Sequence, residues 1–276
     1  MNIVALMSCF NRKDKTEQCI KDLVNGNKNI NFTFVVVDDN SNDGTDKMLK
    51  DFSKVHDVRV IRTEGDCYYS GGMRIGMQYI LDNLNKDYDG LLLVNDDVQF
   101  FDNCIEKMYR DLVKNKNRVI VGTTCDKNRA LTYGAIKYRK SIKYKTLEIS
   151  ESHIQANTFN ANCVLMDFNV LYDVGIYDKV YIHSLGDFDY GMMLSKAGYE
   201  ISSTNEYIGI CEKNSTNNTW LDMSLSKVTR LKLKESPKGA PLKPWFHYLY
   251  KHFGLSIAIR GAVTPYIRII FSKERI

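Results

Sequence analysis

Leu91-Leu92-Leu93-Val94 is an unbroken apolar run that stops abruptly at Asn95-Asp96-Asp97. Four apolar residues behind Gly90 are too few for a helix and fit a short strand buried on both faces. Phe32 to Val37 repeats the arrangement, running into Asp38-Asp39 and then a turn-rich Asn40-Ser41-Asn42-Asp43-Gly44-Thr45 that leads to a helix. Two such strands point to an open α/β sheet, in which ligands bind in the crevice outside the carboxyl ends of the strands. Adjacent carboxylates repel there unless a cation or hydrogen-bond donors offset the charge. Magnesium-like ions prefer oxygen ligands and share them with substrate phosphates. Either cluster alone also reads as a turn and helix cap with no chemistry.

The chain has 276 residues, enough for one large α/β domain with extensions. Its charge is unevenly spread. From Lys227 onward there are eleven Lys and Arg against two acids, Glu235 and Glu274, which leaves 27 basic and 31 acidic residues before that point. The body is therefore near −4 and the tail near +9, an asymmetry that gives the two parts different partners. The seven cysteines are scattered without a C-x-x-C pair, as expected of reduced thiols in the cytosol rather than of a disulfide framework or zinc site. Met1 leads straight into a strand, Ile3 to Met7, and then polar Asn11-Arg12-Lys13, so no signal peptide is expected. The apolar stretch near the end is broken by Arg260, Pro265 and Arg268, and no transmembrane helix is expected there.

Along the chain, the first strand is followed by a helix through Ile20 and Leu23, and G-x-G-x-x-G is absent between them. That absence weighs against a nicotinamide or flavin enzyme. Val58 to Arg62 reads as a third strand, and the loop Glu64 to Gly72 leads into a helix from Met73 to Leu84. Glycines ahead of a helix let backbone N–H groups approach an anion. Asp102 is the expected N-cap of a helix reaching Lys114, Val119 to Gly122 another strand, and 131–149 a two-stranded excursion rich in Lys and Tyr. Phe159 to Met166 reads as one strand with Asn160 and Asn162 on the same side, able to bond a sugar or the neighbouring backbone. A helix is expected from Gly186 to Lys196 and edge strands from Ile201 to Ile210. From Trp220 the chain turns helical and basic, with a break at 236–241 and an aromatic segment from Trp245 to Phe271. Such a segment fits an interfacial helix on an anionic membrane and equally a helix packed on the body.

Three of these pieces resemble family 2 glycosyltransferases, which have the GT-A fold. VVVDDNSNDGT at 35–45 is similar to that family's sugar-nucleotide signature, NDD at 95–97 to its DxD-type metal motif, and SLGDFDYGMMLSKAGY at 184–199 to its ED-x-D…R-x-x-x-G-Y segment. They lie in the family's order and cover about residues 1–212, nearest in character to bacterial polysaccharide and rhamnosyltransferase-like members. The resemblance implies a Rossmann-like mixed sheet flanked by helices. It places a GT-A domain at 1–218, with a nucleotide-binding half at about 1–124 and an acceptor half at about 125–218, and a basic helical extension at 219–276. It puts Phe10 against the nucleotide base, with Ser8 and Arg12 nearby; core packing explains Phe10 as well. Asp39 would accept the N–H that uracil or thymine presents, which favours a UDP- or dTDP-sugar, although guanine offers similar donors. Gly72 and Arg74 would lie over the sugar nucleotide, Arg74 standing where Asn is usual. Asp96 would hold the ribose or assist the metal, and Asp97 would hold Mn2+ or Mg2+. Asp187 would be the general base, with Asn160, Asn162 and Asp189 on the acceptor side. The family shows Glu where Gly186 stands, and Cys211-Glu212 occupies the place of a metal-binding His of some relatives, so no third protein ligand is assigned.

The activity implied is inverting transfer from a nucleotide diphosphate sugar to a hydroxyl of a glycan or lipid-linked acceptor, in polysaccharide biosynthesis of the cell envelope. The expected place is the cytoplasm, with the tail able to reach the inner face of the membrane. Two other readings fit the same residues. A nucleotidyltransferase also uses a sheet, a metal and carboxylates, but Ser8 to Lys13 lacks the glycine-rich loop it needs. A catalytically inactive relative would bind a sugar nucleotide or scaffold an assembly. The basic tail comes with no nucleic-acid motif, so no nucleic-acid partner is expected.

Overall fold

A computed structural model describes residues 1–114, 117–140 and 142–272. The strands are β1 (Asn2–Cys9), β2 (Asn31–Asp38), β3 (Asp57–Arg62), β4 (Gly90–Val94), β5 (Gln99–Phe100), β6 (Arg118–Cys125), β7 (Ala135–Lys140), β8 (Lys143–Thr146), β9 (Thr158–Phe159), β10 (Cys163–Met166) and β11 (Glu200–Ile210). The helices are α1 (Lys13–Gly26), α2 (Thr45–Phe52), α3 (Tyr68–Asn83), α4 (Cys104–Leu112), α5 (Val170–Val174), α6 (Gly186–Lys196), α7 (Lys227–Glu235), α8 (Leu242–Phe253) and α9 (Leu255–Ile270). Among the described residues the main sheet runs β3-β2-β1-β4-β10-β6-β11-β5. Only β10 and the edge strand β5 oppose the rest. A separate small sheet, β8-β7-β9, holds the expected Lys- and Tyr-rich hairpin.

The alternation of strand side chains places a core on each face of the main sheet. Ile3, Ala5 and Met7 of β1, with Leu92 and Val94 of β4, meet Cys19, Ile20 and Leu23 of α1 and Ile105 and Met108 of α4. Val4 and Leu6, with Leu91 and Leu93, meet Met73, Met77 and Ile80 of α3 and Tyr190 and Leu194 of α6. Helices on both sides are why these strands read as continuous apolar runs. In register, Cys9 faces Asp38 and Leu6 faces Leu93, so β1, β2 and β4 finish at one edge. The amino end of β10 and the carboxyl end of β11 reach the same edge, with Cys163 beside Val94 and Ile210 beside Cys125.

Several expectations shift. The helix expected at Met73 starts at Tyr68, so Gly71 and Gly72 lie inside α3 rather than ahead of it. Gly72 is needed there because a Cβ would collide with the Ser8 side chain of β1. Asp102 does not cap α4. Asn103 sits at the helix start with φ 60°, and the buried side chain of Asn27 accepts from the Ile105 and Glu106 N–H groups instead. The expected strand 159–166 is split: β9 joins the small sheet, β10 joins the main sheet, and Asn160 and Asn162 lie on the turn between them. Residues 201–210 form part of one long strand between β6 and β5. The tail becomes helical at Lys227 rather than Trp220, and Gly254, at φ 85°, divides its aromatic segment into α8 and α9. Positions 273–276 of the expected extension lie outside the described residues.

Candidate active site

The strand exits open into a cleft of about 900 Å³. Ser8, Phe10 and Arg12 leave β1, Asp39 leaves β2, and Asn95, Asp96 and Asp97 leave β4; all seven line the cleft. Phe10 is half exposed, so packing in the core does not account for it. The Arg12 guanidinium bridges the paired carboxylates, with Nη1 3.0 Å from Asp96 Oδ1 and 3.0 Å from Asp97 Oδ2. Asp96 is buried and also accepts from Thr16 Oγ1 at 3.1 Å. Burial still holds its carboxyl above the usual range, outweighing the pull of Arg12. The same carboxylates raise Arg12, which stays charged. The Cys211 thiol lies 3.8 Å from Asp97 Oδ1 and 3.4 Å from Asn162 Nδ2, and burial beside Asp97 pushes it up to about 12. In this arrangement the Cys211 thiol is therefore a neutral neighbour of Asp97.

Asp39 is nearly buried and already accepts three hydrogen bonds, from Thr63 Oγ1 at 2.7 Å, Cys67 N at 3.1 Å and Tyr68 N at 3.0 Å. It thereby fixes the start of α3 as well as facing the cleft. A carboxylate has about four acceptor positions, so one remains for a ligand.

The turn between β9 and β10 carries the site from the carboxylate pair toward α6. Asn162 O accepts from Asn95 N at 3.0 Å, and Ala161 N donates to Asp187 Oδ2 at 3.2 Å. Asp187 Oδ1 accepts from Phe188 N at 2.9 Å in the first turn of α6. Helix-start N–H groups favour the carboxylate. Burial works against them and wins, pushing Asp187 up to about 6. Gly186, where the family motif has Glu, packs against α3 and Tyr177. A Cβ there would sit 2.5 Å from Ser70 Oγ and 2.8 Å from Tyr177 Cδ2, so the second carboxylate of that motif has no room.

Asp189, two residues on, faces away from the cleft. It is buried, accepts from Tyr181 Oη at 3.2 Å and pairs with Lys251 Nζ at 2.8 Å, while His252 Nε2 lies 2.7 Å from its Oδ1. The expectation of an acceptor contact for Asp189 is corrected on this geometry: its oxygens anchor α8 to α6. Gly72 and Arg74 also leave the cleft lining. Gly72 packs on Ser8, and Arg74 Nη1 donates to Tyr181 O at 3.1 Å. Asn160 and Asn162 both line the cleft.

The tail forms the opposite wall. Trp220, Lys238, Trp245, Tyr248 and Leu249 line the cleft together with Tyr138 and Tyr144 of the small sheet. The Tyr138 and Tyr248 hydroxyls lie 2.6 Å apart. His183 is a lining residue that sequence reasoning missed. Its Nδ1 is buried without a hydrogen-bond partner among the described residues, and burial, with Lys238 and Arg12 adding positive charge, lowers it to about 4. A lone His without metal-ligand spacing offers no pattern to read. Among the described residues no three of His, Cys, Asp and Glu gather as a metal cage.

Residues 4–180 match the family model for glycosyl transferase family 2. The chain belongs to that family. This glycosyltransferase matches no curated protein in sequence. Its fold is the GT-A fold of solved glycosyltransferases. The mannosyltransferase PcManGT from Pyrobaculum calidifontis, in complex with GDP-Man and Mn2+, aligns with TM-score 0.59 at 13% identity, covering 98% of this chain and 76% of that one. S. aureus TarS 1–349 in complex with UDP-GlcNAc aligns with TM-score 0.59 at 12% identity, covering 98% and 82%. The family match stops before α6, so Asp187 and the tail wall of this glycosyltransferase lie beyond it.

Proposed function

We propose that this glycosyltransferase moves a sugar from a nucleotide diphosphate sugar to an acceptor hydroxyl with inversion, using Asp187 as general base. The observation that carries the reading is the carboxylate itself, lining the cleft one turn of chain from the Asp96-Asp97 exit and raised to about 6. A general base works best with a pKa near the working pH. Phe10 stacks on the base, Asp39 accepts its N–H, and Arg12 answers phosphate charge. The complexes of related folds with GDP-Man and with UDP-GlcNAc support such a donor; UDP- or dTDP-sugars are favoured by Asp39. The acceptor, a glycan or lipid-linked hydroxyl, lies against Asn160, Asn162 and the aromatic wall. Its oxygen attacks the anomeric carbon opposite the diphosphate while Asp187 takes its proton. One displacement inverts the carbon.

The residues at the β4 exit fit Mn2+ or Mg2+ shared with substrate. Asp97 offers a hard oxygen ligand in the cleft, Asn95 Oδ1 is buried without a partner among the described residues, and such ions often use one or two carboxylates plus phosphates. When bound at Asp97, the ion supplies positive charge against the leaving diphosphate. Arg12 holds that carboxylate in its absence. A panel of nucleotide sugars, assayed for transfer or hydrolysis with and without Mn2+, tests the reading. Turnover of one donor class is expected; stabilisation by a donor with no turnover of any would favour the inactive-relative reading. Thermal shifts with Mn2+ alone should be larger in Arg12→Gln than in the wild type, because the carboxylates are released. Equal shifts would mean that Arg12 does not stand at the ion's place.

A further inference from the structure

We infer that α9 is a membrane-docking helix, which lays its outer face on an anionic lipid surface. An ordinary surface helix turns its large apolar residues inward, whereas α9 leaves most of its own exposed. Its buried residues include Ala258, Gly261 and Ala262, small side chains that let it close on α8, where Leu249 contacts Gly261 and Trp245 Nε1 donates to Gly261 O at 3.0 Å. Ile269 is buried with them and Ile257 packs against the same cluster, but most of the large residues face out. Leu255, Ile259, Val263 and Ile267, each one turn apart, are between 48% and 56% exposed, and Ile270 and Phe271 continue the stripe. A contiguous apolar stripe of this kind marks an interaction surface, whereas isolated exposed apolar residues do not.

Charge selects the occupant. Arg260 and Arg268 are exposed beside the stripe, and Lys243 is exposed on α8. No acidic residue occurs from 242 to 272. Before that stretch in the chain, Glu235 is committed to Lys234 Nζ at 2.6 Å, Tyr266 Oη at 2.5 Å and Leu242 N at 3.1 Å, and Asp178 and Asp189 are committed to Lys251 on the inner side of α8. A two-fold contact between copies sets one patch against itself, and here it would oppose arginine to arginine with no carboxylate between them. Anionic headgroups answer these cations, and each basic side chain near such a surface adds attraction. The helix is about 24 Å long at 1.5 Å per residue, and no described helix is long and apolar enough to cross a bilayer. It therefore lies in the interface. The other helix of the hairpin lines the cleft through Trp245, Tyr248 and Leu249, so docking would anchor one wall of the cleft at the membrane. The inference does not depend on the sugar-transfer reading, since its test reads lipid binding alone.

The test is co-sedimentation of the full chain with vesicles of phosphatidylcholine alone and of phosphatidylcholine with phosphatidylglycerol, at low and high salt. Wild type should pellet with the anionic vesicles and less with the neutral ones, and salt should weaken the binding in part. Ile259→Glu with Val263→Glu should lower partitioning about tenfold or more, with unchanged melting, because both residues are exposed. Arg260→Gln with Arg268→Gln should remove much of the preference for anionic lipid. The inference is overturned if wild type stays in the supernatant with anionic vesicles, or if the Glu variant pellets equally well. It is overturned too if light scattering shows a wild-type dimer that the Glu variant converts to monomer, since a second copy would then cover the stripe.

Discussion

At one end of the cleft the polar groups come from strand exits, Ser8 to Arg12, Asp39 and Asn95 to Asp97, each held by a backbone that the sheet makes rigid. At the other end the wall is assembled from a hairpin, a loop and the tail helices, and its groups are aromatic and basic: Tyr138, Tyr144, Trp245, Tyr248 and Lys238. The first end carries paired carboxylates already countered by Arg12. In the second, the buried anion Asp189 ties α8 to α6 through Lys251 and His252, with Asp178 also pairing to His247 and Lys251. Asp187, two residues away on the same helix, lines the cleft. One helix start thus supplies both the proposed base and a clamp on the far wall.

The comparison can be broken at each of its parts. The largest effect is expected at Asp187. Asp187→Asn should slow transfer by about 10²–10⁴-fold while nucleotide diphosphate affinity, measured by calorimetry, stays near wild type. Wild-type turnover would remove Asp187 from the chemistry. Asp189→Asn should act in the opposite register. It leaves Lys251 with only its 3.6 Å pair to Asp178 and removes the charged acceptor beside buried His252, and should cost about 1–3 kcal/mol of stability, read from urea unfolding, with a smaller direct effect on the chemical step. An unaltered unfolding midpoint would mean that Asp189 does not clamp the tail. The smallest effect belongs to the strand-exit end. Asp39→Ala should weaken nucleotide binding by about 1–3 kcal/mol, since both a ligand contact and the Thr63, Cys67 and Tyr68 bonds are lost. Equal affinity for every nucleotide diphosphate would make Asp39 purely structural.

The strand-exit end of the cleft was legible in the sequence because its signals are local. An apolar run that stops at adjacent carboxylates, as at Val94 and Val37, states both the strand and the place where it emerges. Asp187 was singled out by the motif around it, and it lines the cleft. Asp189 has the same chemistry and nearly the same position, but its fate depends on Lys251 and His252, more than sixty residues away in the chain. Gly72 and Arg74 were misplaced because α3 begins one turn early, where Asp39 accepts from the N–H groups of Cys67 and Tyr68. The split at Asn160 to Asn162 comes from two sheets sharing one chain segment, which a single alternating pattern does not reveal. The absence of Glu at Gly186 was visible in the sequence; its reason, the close approach of Ser70 and Tyr177, was not.

The most direct test of the account is the pH dependence of sugar transfer, measured as kcat/KM for wild type and for the residual activity of Asp187→Asn. Only the ionised carboxylate can accept the acceptor's proton. With Asp187 raised to about 6 by burial, the wild-type rate should climb about tenfold per pH unit below that value and level off above it. The Asn variant should lack this limb. A flat wild-type profile through pH 6, or the same limb in both proteins, would contradict the assignment of Asp187 as the base.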